Sequence, residues 1–267
     1  MATNTTQNTT ENTKPNFPTE EFDLPSKGLL YPKDNPLSSG KLELKYMTAK
    51  EEDILTSPNL IKKGIVLDTL MKSLIVSPIN YDDLLVGDKN GLMVASRLLS
   101  YGKDYQVEMT CPDCGNKEKQ IVDLSKIEAK QLKEEEYSNG NRFSFELPNS
   151  KIMIEFKLLD HKAESNIADE LKGLKKLETR TGISQEMTTR MKHLILSVDG
   201  DESKGTIRSF VDTQLLALDS RALRTEIDRL QPDTDLSFVY NCSNCGYENV
   251  DMEIPLTADF FWPKAGA

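Results

Sequence analysis

The spacing of apolar residues predicts helices in the first part of the chain. Apolar side chains recur three and four positions apart over residues 67–75 and again over 92–99, which is the spacing of a helix that buries one face. Upstream, Thr48 and Glu51 have the spacing of a capping box, whose side chains satisfy free backbone donors at the start of a helix. We therefore expect a helical unit over residues 41–104, entered through a short strand.

Residues 126–235 begin with a strand pattern and continue with a helical one. Apolar positions alternate over 143–147 and 152–158, and a Pro-Asn-Ser-Lys turn separates the two runs, which predicts a hairpin. Four stretches of helical spacing follow before Pro232. They cover residues 163–177, 186–196, 207–218 and 220–230. This pattern predicts an α+β fold in which residues 126–235 form a unit inserted between two further hairpins.

Those two further hairpins, 105–125 and 236–256, each carry a Cys-x-x-Cys-Gly turn at the tip. Such a turn directs two sulfurs to one side of a tight loop, and its glycine relieves the backbone there. Two of these turns supply the four thiolates that zinc prefers in a structural site. The sequence therefore predicts a split zinc ribbon that joins the helical unit to the inserted unit. The predicted metal ligands are Cys111, Cys114, Cys242 and Cys245.

Other uses of the four cysteines fit the sequence less well. A redox dithiol needs a single pair, and neither pair adjoins a thioredoxin-like strand–helix unit. Disulfides are typical of oxidising compartments, whereas the sequence does not open with a charged region followed by an apolar core. Four thiolates leave no coordination position for water, so we expect the zinc to have no catalytic role.

Composition favours protein partners. The formal net charge is -10, which argues against broad binding to nucleic-acid phosphates. No stretch approaches the ~20 apolar residues that cross a bilayer. The two histidines, His161 and His193, lie in no metal or nucleophile motif, and no glycine-rich phosphate loop occurs. We therefore expect no enzyme active site, no small-molecule substrate and no membrane partner.

The two ends of the chain differ from its middle. Residues 1–20 are rich in Thr and Asn and are expected to form a disordered tail. Residues 21–40 mix apolar side chains with Pro and Gly, which is typical of an extended arm or of a rigid loop that caps the domain. Residues 257–267 form an aromatic tail, which either folds back onto the body or contacts a partner. The predicted partner-contact residues are Leu29, Leu30, Tyr31, Phe260, Phe261 and Trp262.

Two N-terminal phrases suggest a family. The phrase Leu-Pro-Ser-Lys-Gly-Leu-Leu-Tyr at residues 24–31, followed by the run over 45–55, resembles the opening of baseplate proteins of T-even-type contractile-tailed phages. The two cysteine turns are also similar to turns found in that group. The resemblance covers residues 24–255 and implies a non-enzymatic baseplate hub or wedge component, or a factor that assists hub assembly.

The resemblance also implies partners and a location. Its partners would be other phage baseplate or tail proteins, and its location the host cytoplasm during assembly, with the virion tail as the location of a retained component. Two other classes of function stay open. One is a zinc-ribbon accessory factor in transcription or replication, which would carry basic or aromatic residues around the cysteine turns. The other is an enzyme whose site is assembled from scattered carboxylates in a deep pocket.

Overall fold

A computed structural model describes residues 18–261 of the chain, except for the side chains of residues 176, 177 and 258. The first part contains a two-stranded antiparallel sheet, four helices and the first cysteine hairpin. In chain order these are β1 (Thr19–Asp23), β2 (Lys41–Lys45), α1 (Ala49–Thr56), α2 (Pro58–Lys63), α3 (Val66–Leu74), α4 (Val86–Tyr101), β3 (Asp104–Thr110) and β4 (Lys117–Asp123).

The inserted part is a three-stranded antiparallel sheet with four helices, and the second cysteine hairpin follows it. The sheet order is β5–β6–β7. The elements are β5 (Phe143–Glu146), β6 (Met153–Phe156), α5 (His161–Thr181), α6 (Glu186–Leu194), β7 (Ile195–Val198), α7 (Lys204–Thr213), α8 (Ala217–Leu230), β8 (Ser237–Asn241) and β9 (Glu248–Glu253). The predicted α+β class is confirmed.

Most predicted elements form where the spacing indicates, and the differences have local causes. Thr48 caps α1 through the predicted capping box, with Thr48 N donating to Glu51 Oε2 at 3.0 Å. Burial alone would raise the pKa of Glu51, but hydrogen bonds from Lys45, Thr48 and Ser73 outweigh it and lower that pKa to about 2. The short helix α2 was not predicted. It begins at Pro58. A proline is tolerated in the first turn of a helix because the backbone N–H that it lacks would have no partner within the helix there.

The predicted helix over 186–196 is too long. It ends at Leu194, and residues 195–198 form β7, which pairs with β6 as the third strand of the sheet. The β-branched Ile195 and Val198 are buried there, and strand pairing therefore overrides the helical spacing that continues into them. The predicted helix over 207–218 likewise ends early, at Thr213.

The N-terminal segment is not an arm on the surface. Strand β1 begins at Thr19, inside the predicted tail, and pairs with β2, while residues 24–40 connect the two strands through turns. Leu24 and Leu30 are buried in an apolar core that extends through the whole described chain to Phe261. The rigid-loop alternative for residues 21–40 therefore describes the structure, because these side chains pack inward.

Helix α4 holds this segment through a buried carboxylate. Asp88 accepts hydrogen bonds from Ser26 N (2.8 Å), Ser26 Oγ (2.7 Å) and the Tyr31 hydroxyl (2.6 Å). The same Tyr31 oxygen accepts from Leu85 N at 2.9 Å. Burial raises the pKa of Asp88 above its usual value, although these hydrogen bonds oppose the shift. Gly28 lies in the chain between Ser26 and Tyr31. It has φ +78°, and a Cβ there would lie 2.4 Å from Ser38 O.

Helix α4 also touches the chain where it returns from the insert. A Cβ at Gly87 would lie 1.6 Å from Pro232 O, so glycine is required at this crossing. Asn90 Nδ2 donates to Asp233 Oδ1 at 3.0 Å, one residue further along. At the far end of the helix, Arg97 Nε donates to Phe260 O at 3.1 Å. One helix therefore contacts the N-terminal, returning and C-terminal segments. No helix among residues 18–261 combines the length and apolar character of a membrane span.

We predict that Asp88→Ala lowers the free energy of unfolding by about 1–3 kcal/mol, because it leaves buried donors of Ser26 and Tyr31 without an acceptor. Asp88→Asn keeps one acceptor oxygen and should be destabilised less. Urea unfolding followed by circular dichroism measures both. The exposed Asp34→Ala is the matched control, and equal stability of Asp88→Ala and Asp34→Ala would refute the role of the carboxylate.

Candidate metal centre

The two cysteine turns have the same backbone structure, and we call them knuckle 1 (residues 111–116) and knuckle 2 (242–247). In knuckle 1, Gly115 N donates to Cys111 O at 2.9 Å and Cys111 N donates to Asn116 O at 2.8 Å. Knuckle 2 repeats both hydrogen bonds at the equivalent positions, at 3.0 and 2.8 Å. Both turn glycines have positive φ, 71° and 74°, a conformation that other residues seldom adopt.

The fold brings the four predicted ligands together. Cys111 Sγ lies 3.7 Å from Cys245 Sγ, and Cys114 Sγ lies 3.7 Å from Cys242 Sγ, so each short distance joins the two knuckles. All four sulfurs lie within 4.8 Å of one another. A zinc ion at about 2.3 Å from four tetrahedral sulfurs separates them by about 3.8 Å. The arrangement can therefore hold a tetrahedral metal ion with little adjustment.

The pKa values of the two cysteines of knuckle 2 are shifted in opposite directions, although backbone hydrogen bonds lower both. Amides of Cys245 and Asn244 donate to Cys242 and lower its pKa to about 6, in spite of partial desolvation. At Cys245, a hydrogen bond from the Tyr247 amide acts in the same direction, but desolvation and the neighbouring thiols raise the pKa to about 12. Four thiolates at this distance repel one another, and a bound cation is what offsets that repulsion.

Side chains from each hairpin also contact the other. Glu118 on β4 accepts hydrogen bonds from the amide and hydroxyl of Ser243 in knuckle 2. Asn244 Nδ2 donates to Cys114 Sγ at 3.5 Å, which helps to lower the pKa of that thiol. The ring of Tyr240 is fully buried against Cys111 and Cys242. The two hairpins therefore share hydrogen bonds and an apolar contact as well as the sulfur cluster.

The predicted partner-contact residues of the N-terminal segment lie inside the fold. Leu30 and Tyr31 are 3% and 8% exposed, and Tyr31 belongs to the hydrogen bonds around Asp88. Leu29 is half-buried and packs against the core. In this conformation Leu30 and Tyr31 are not available to a partner, because their side chains already fill the core of this chain.

The predicted C-terminal contact residues are also folded back. Phe260 and Phe261 are 0% exposed, and the Phe260 ring lies 5.0 Å from the Tyr105 ring at the base of the first hairpin. The intramolecular alternative therefore describes them, since an exposed aromatic pair would leave a large apolar surface in water. Trp262 lies outside the described residues.

Sequence reasoning missed the polar groups that position these segments. Asp88 and Arg97 occupy polar positions on a helix whose apolar face was recognised, and no residue nearby marks them as buried. Ser26 and Tyr31 were the available signal for a buried acceptor such as Asp88, because hydroxyl groups within an apolar segment need a hydrogen-bond partner once they are buried. Asp160 caps α5 and accepts a hydrogen bond from Ala163 N at 2.7 Å.

The fold and the cysteine cluster define a class: an α+β protein in which two hairpins that are distant in sequence bring four cysteines within metal-binding distance of one another. The comparison with protein families is more particular. The model of the family described as "T4 bacteriophage base plate protein" matches residues 19–262, and the chain belongs to that family. The match spans both knuckles and confirms the resemblance of the N-terminal phrases. No curated protein and no solved structure matches the chain.

We predict that the purified protein binds one zinc ion per chain and that Cys111→Ser and Cys242→Ser each abolish this binding. Each variant should also unfold at lower denaturant concentration, because metal binding is coupled to folding. Elemental analysis and urea unfolding measure the two effects. Asp113→Ala changes an exposed residue in the same turn, keeps all four sulfurs, and serves as the control. A parent protein that is free of zinc and unaffected by added zinc would contradict the site.

We predict that Phe260→Ala lowers the free energy of unfolding by about 3–5 kcal/mol, the usual effect of removing a buried ring from a core. Leu218→Ala removes an apolar side chain that is 64% exposed and should change stability little. Thermal and urea unfolding compare the two variants. A small effect of Phe260→Ala, together with loss of binding to baseplate proteins, would instead favour the interfacial interpretation of the C-terminus.

Proposed function

We propose that this chain is a structural or assembly protein of the hub region of a phage tail baseplate, and that it acts through contacts with other baseplate proteins. The observation that carries the proposal is the family match, which extends from β1 to the C-terminal aromatic residues. It therefore covers the whole described architecture, including both cysteine hairpins, rather than one shared motif.

We propose that the metal in the knuckles is zinc and that its role is structural. The sulfur separations of 3.7 Å across the knuckles support tetrahedral coordination by four thiolates. When bound, the ion supplies coordination bonds between hairpins that are far apart in the sequence. The chain's own contribution is to hold the four sulfurs within 4.8 Å of one another and to stabilise the ionised forms of Cys114 and Cys242 through hydrogen bonds.

The charge around the knuckles argues for a protein partner over nucleic acid. On the exposed face of the first hairpin, Lys119 stands opposite Glu108, and Glu118 points to the second knuckle. The chain as a whole has a formal net charge of -10. A phosphate-binding surface needs a basic patch instead, so the nucleic-acid accessory factor is the weaker alternative.

Quantitative mass spectrometry of purified virions and of infected-cell lysate tests the proposal. We expect a fixed, low copy number in the particle, as for a structural component, or association with baseplate intermediates in the lysate, as for an assembly factor. Copy number relative to known tail proteins provides the internal control. Absence from both particles and baseplate intermediates, combined with recovery on nucleic acid, would overturn the proposal in favour of the accessory factor.

A further inference from the structure

The two cysteine hairpins leave a cleft of about 480 Å³ between strands β4 and β8. At one end of the cleft Gln120 Nε2 donates to Asn241 O at 2.7 Å, close to the knuckles. At the other end Asp235 N donates to Glu128 O at 2.9 Å. Between these two contacts, β4 is paired only with β3 and β8 only with β9 among the described residues. Each strand therefore presents an unpaired edge.

Apolar side chains in and beside the cleft are unusually exposed. Ile121 on β4 is 71% exposed, the highest value among the large apolar side chains that the structure describes. Val239 on β8 is 53% exposed and lines the same cleft, and Val250 on the adjacent β9 is 56% exposed. β-Branched residues on an open strand edge are a surface that other strands pair with, and native proteins usually protect it with charge or cover it.

The rim of the cleft is acidic. Three carboxylates line it, from Asp123, Glu128 and Asp235, against one lining lysine, Lys126, and Asp123 also lies 3.5 Å from Lys103 Nζ. Glu128 and Asp235 line a neighbouring cavity of about 500 Å³ together with Asp233 and Lys130, so the excess of carboxylates continues past the end of the cleft. An occupant with basic side chains is therefore favoured, and one with acidic side chains is repelled.

We propose that this cleft binds an extended segment of a partner baseplate protein, which adds a strand to the free edge of β4. The segment has apolar side chains that cover Ile121 and Val239, and lysine or arginine residues that meet the acidic rim. Main-chain hydrogen bonds to the strand edge would provide affinity, and the side-chain contacts would provide specificity. This inference rests on the proposed baseplate function and adds to it the surface and the chemistry of the partner.

The cleft is preformed, which supports a binding role. Its walls come from hairpins far apart in sequence, and their spacing is fixed by the knuckles at one end and by the bridge between Ala129 and Thr234 at the other. When a partner strand binds, only the strand has to lose conformational freedom, because the walls of the cleft are already ordered.

Site-specific photocrosslinking in infected cells tests this directly. A benzoylphenylalanine at position 121 is expected to cross-link to a baseplate protein, within a segment that contains basic residues and alternating apolar ones. The same group at Ile183 is the matched control, because Ile183 is 67% exposed but lies in the inserted unit, away from the cleft. Mass spectrometry of the cross-linked peptide identifies the segment. Equal yields at the two positions, or attachment to an acidic segment, would overturn the inference.

A double variant and a control variant measure how much the cleft surface contributes to partner binding. The double variant Ile121→Asp/Val239→Asp should reduce the recovery of baseplate proteins on the tagged chain about tenfold or more, whereas the control Ile183→Asp should not. Unfolding midpoint and zinc content should stay at the parental values, since both changed side chains are exposed. If the parent recovers baseplate proteins and the double variant recovers them equally, only the inference fails. If the parent itself recovers none, the proposed function fails.

Discussion

The Asp88 carboxylate is the constraint on which the arrangement of the chain's distant parts depends. It is fully buried on α4 and accepts three hydrogen bonds from Ser26 and Tyr31, so the N-terminal segment has one allowed position on this helix. A buried acceptor of this kind is stable only when all its donors are in place, which makes the contact specific as well as strong. The same helix meets Pro232 and the Phe260 carbonyl, and thereby sets where the inserted and C-terminal segments join the body.

The cysteine cluster lies in a part of the fold that has only a small apolar cluster of its own. Strands β3, β4, β8 and β9 form two separate two-stranded sheets, and isolated hairpins are marginally stable in water. Tyr240, Cys111 and Cys242 form only a small apolar cluster between them. A metal at the four sulfurs would close a loop of more than a hundred residues, and the entropy that such a link removes from the unfolded chain grows with loop length. A metal bound there would therefore stabilise a region that has only a small apolar cluster of its own.

The sequence was informative wherever a pattern is local. The cysteine spacing predicted a site whose sulfurs do approach within metal-binding distance, because the geometry of each turn is contained in six residues. Periodicity also placed α3 within one residue at each end, whereas α4 begins six residues before the predicted run over 92–99. It failed at Ile195, where pairing with β6 decides between helix and strand. It also gave no signal for the hydrogen bond from Tyr31 to Asp88, which lies 57 residues away. Such contacts leave no periodic signal, since each involves one or two residues and a partner that is remote in sequence.

The buried hydrogen bonds around Asp88 and the exposed strand edges have different roles, which changes how the N-terminal phrase at residues 24–31 is interpreted. The residues that resemble baseplate proteins, Ser26 and Tyr31 among them, point inward and hold the fold together, so a resemblance built on them reports shared architecture. Contacts with neighbouring subunits need exposed side chains. Three of the exposed apolar residues, Ile121, Val239 and Val250, lie on the strands of the cysteine hairpins. Such edges are free to vary without disturbing the core. A baseplate family that keeps the hydrogen bonds around Asp88 and varies the strand edges of the cysteine hairpins would preserve one fold while adapting to different neighbours.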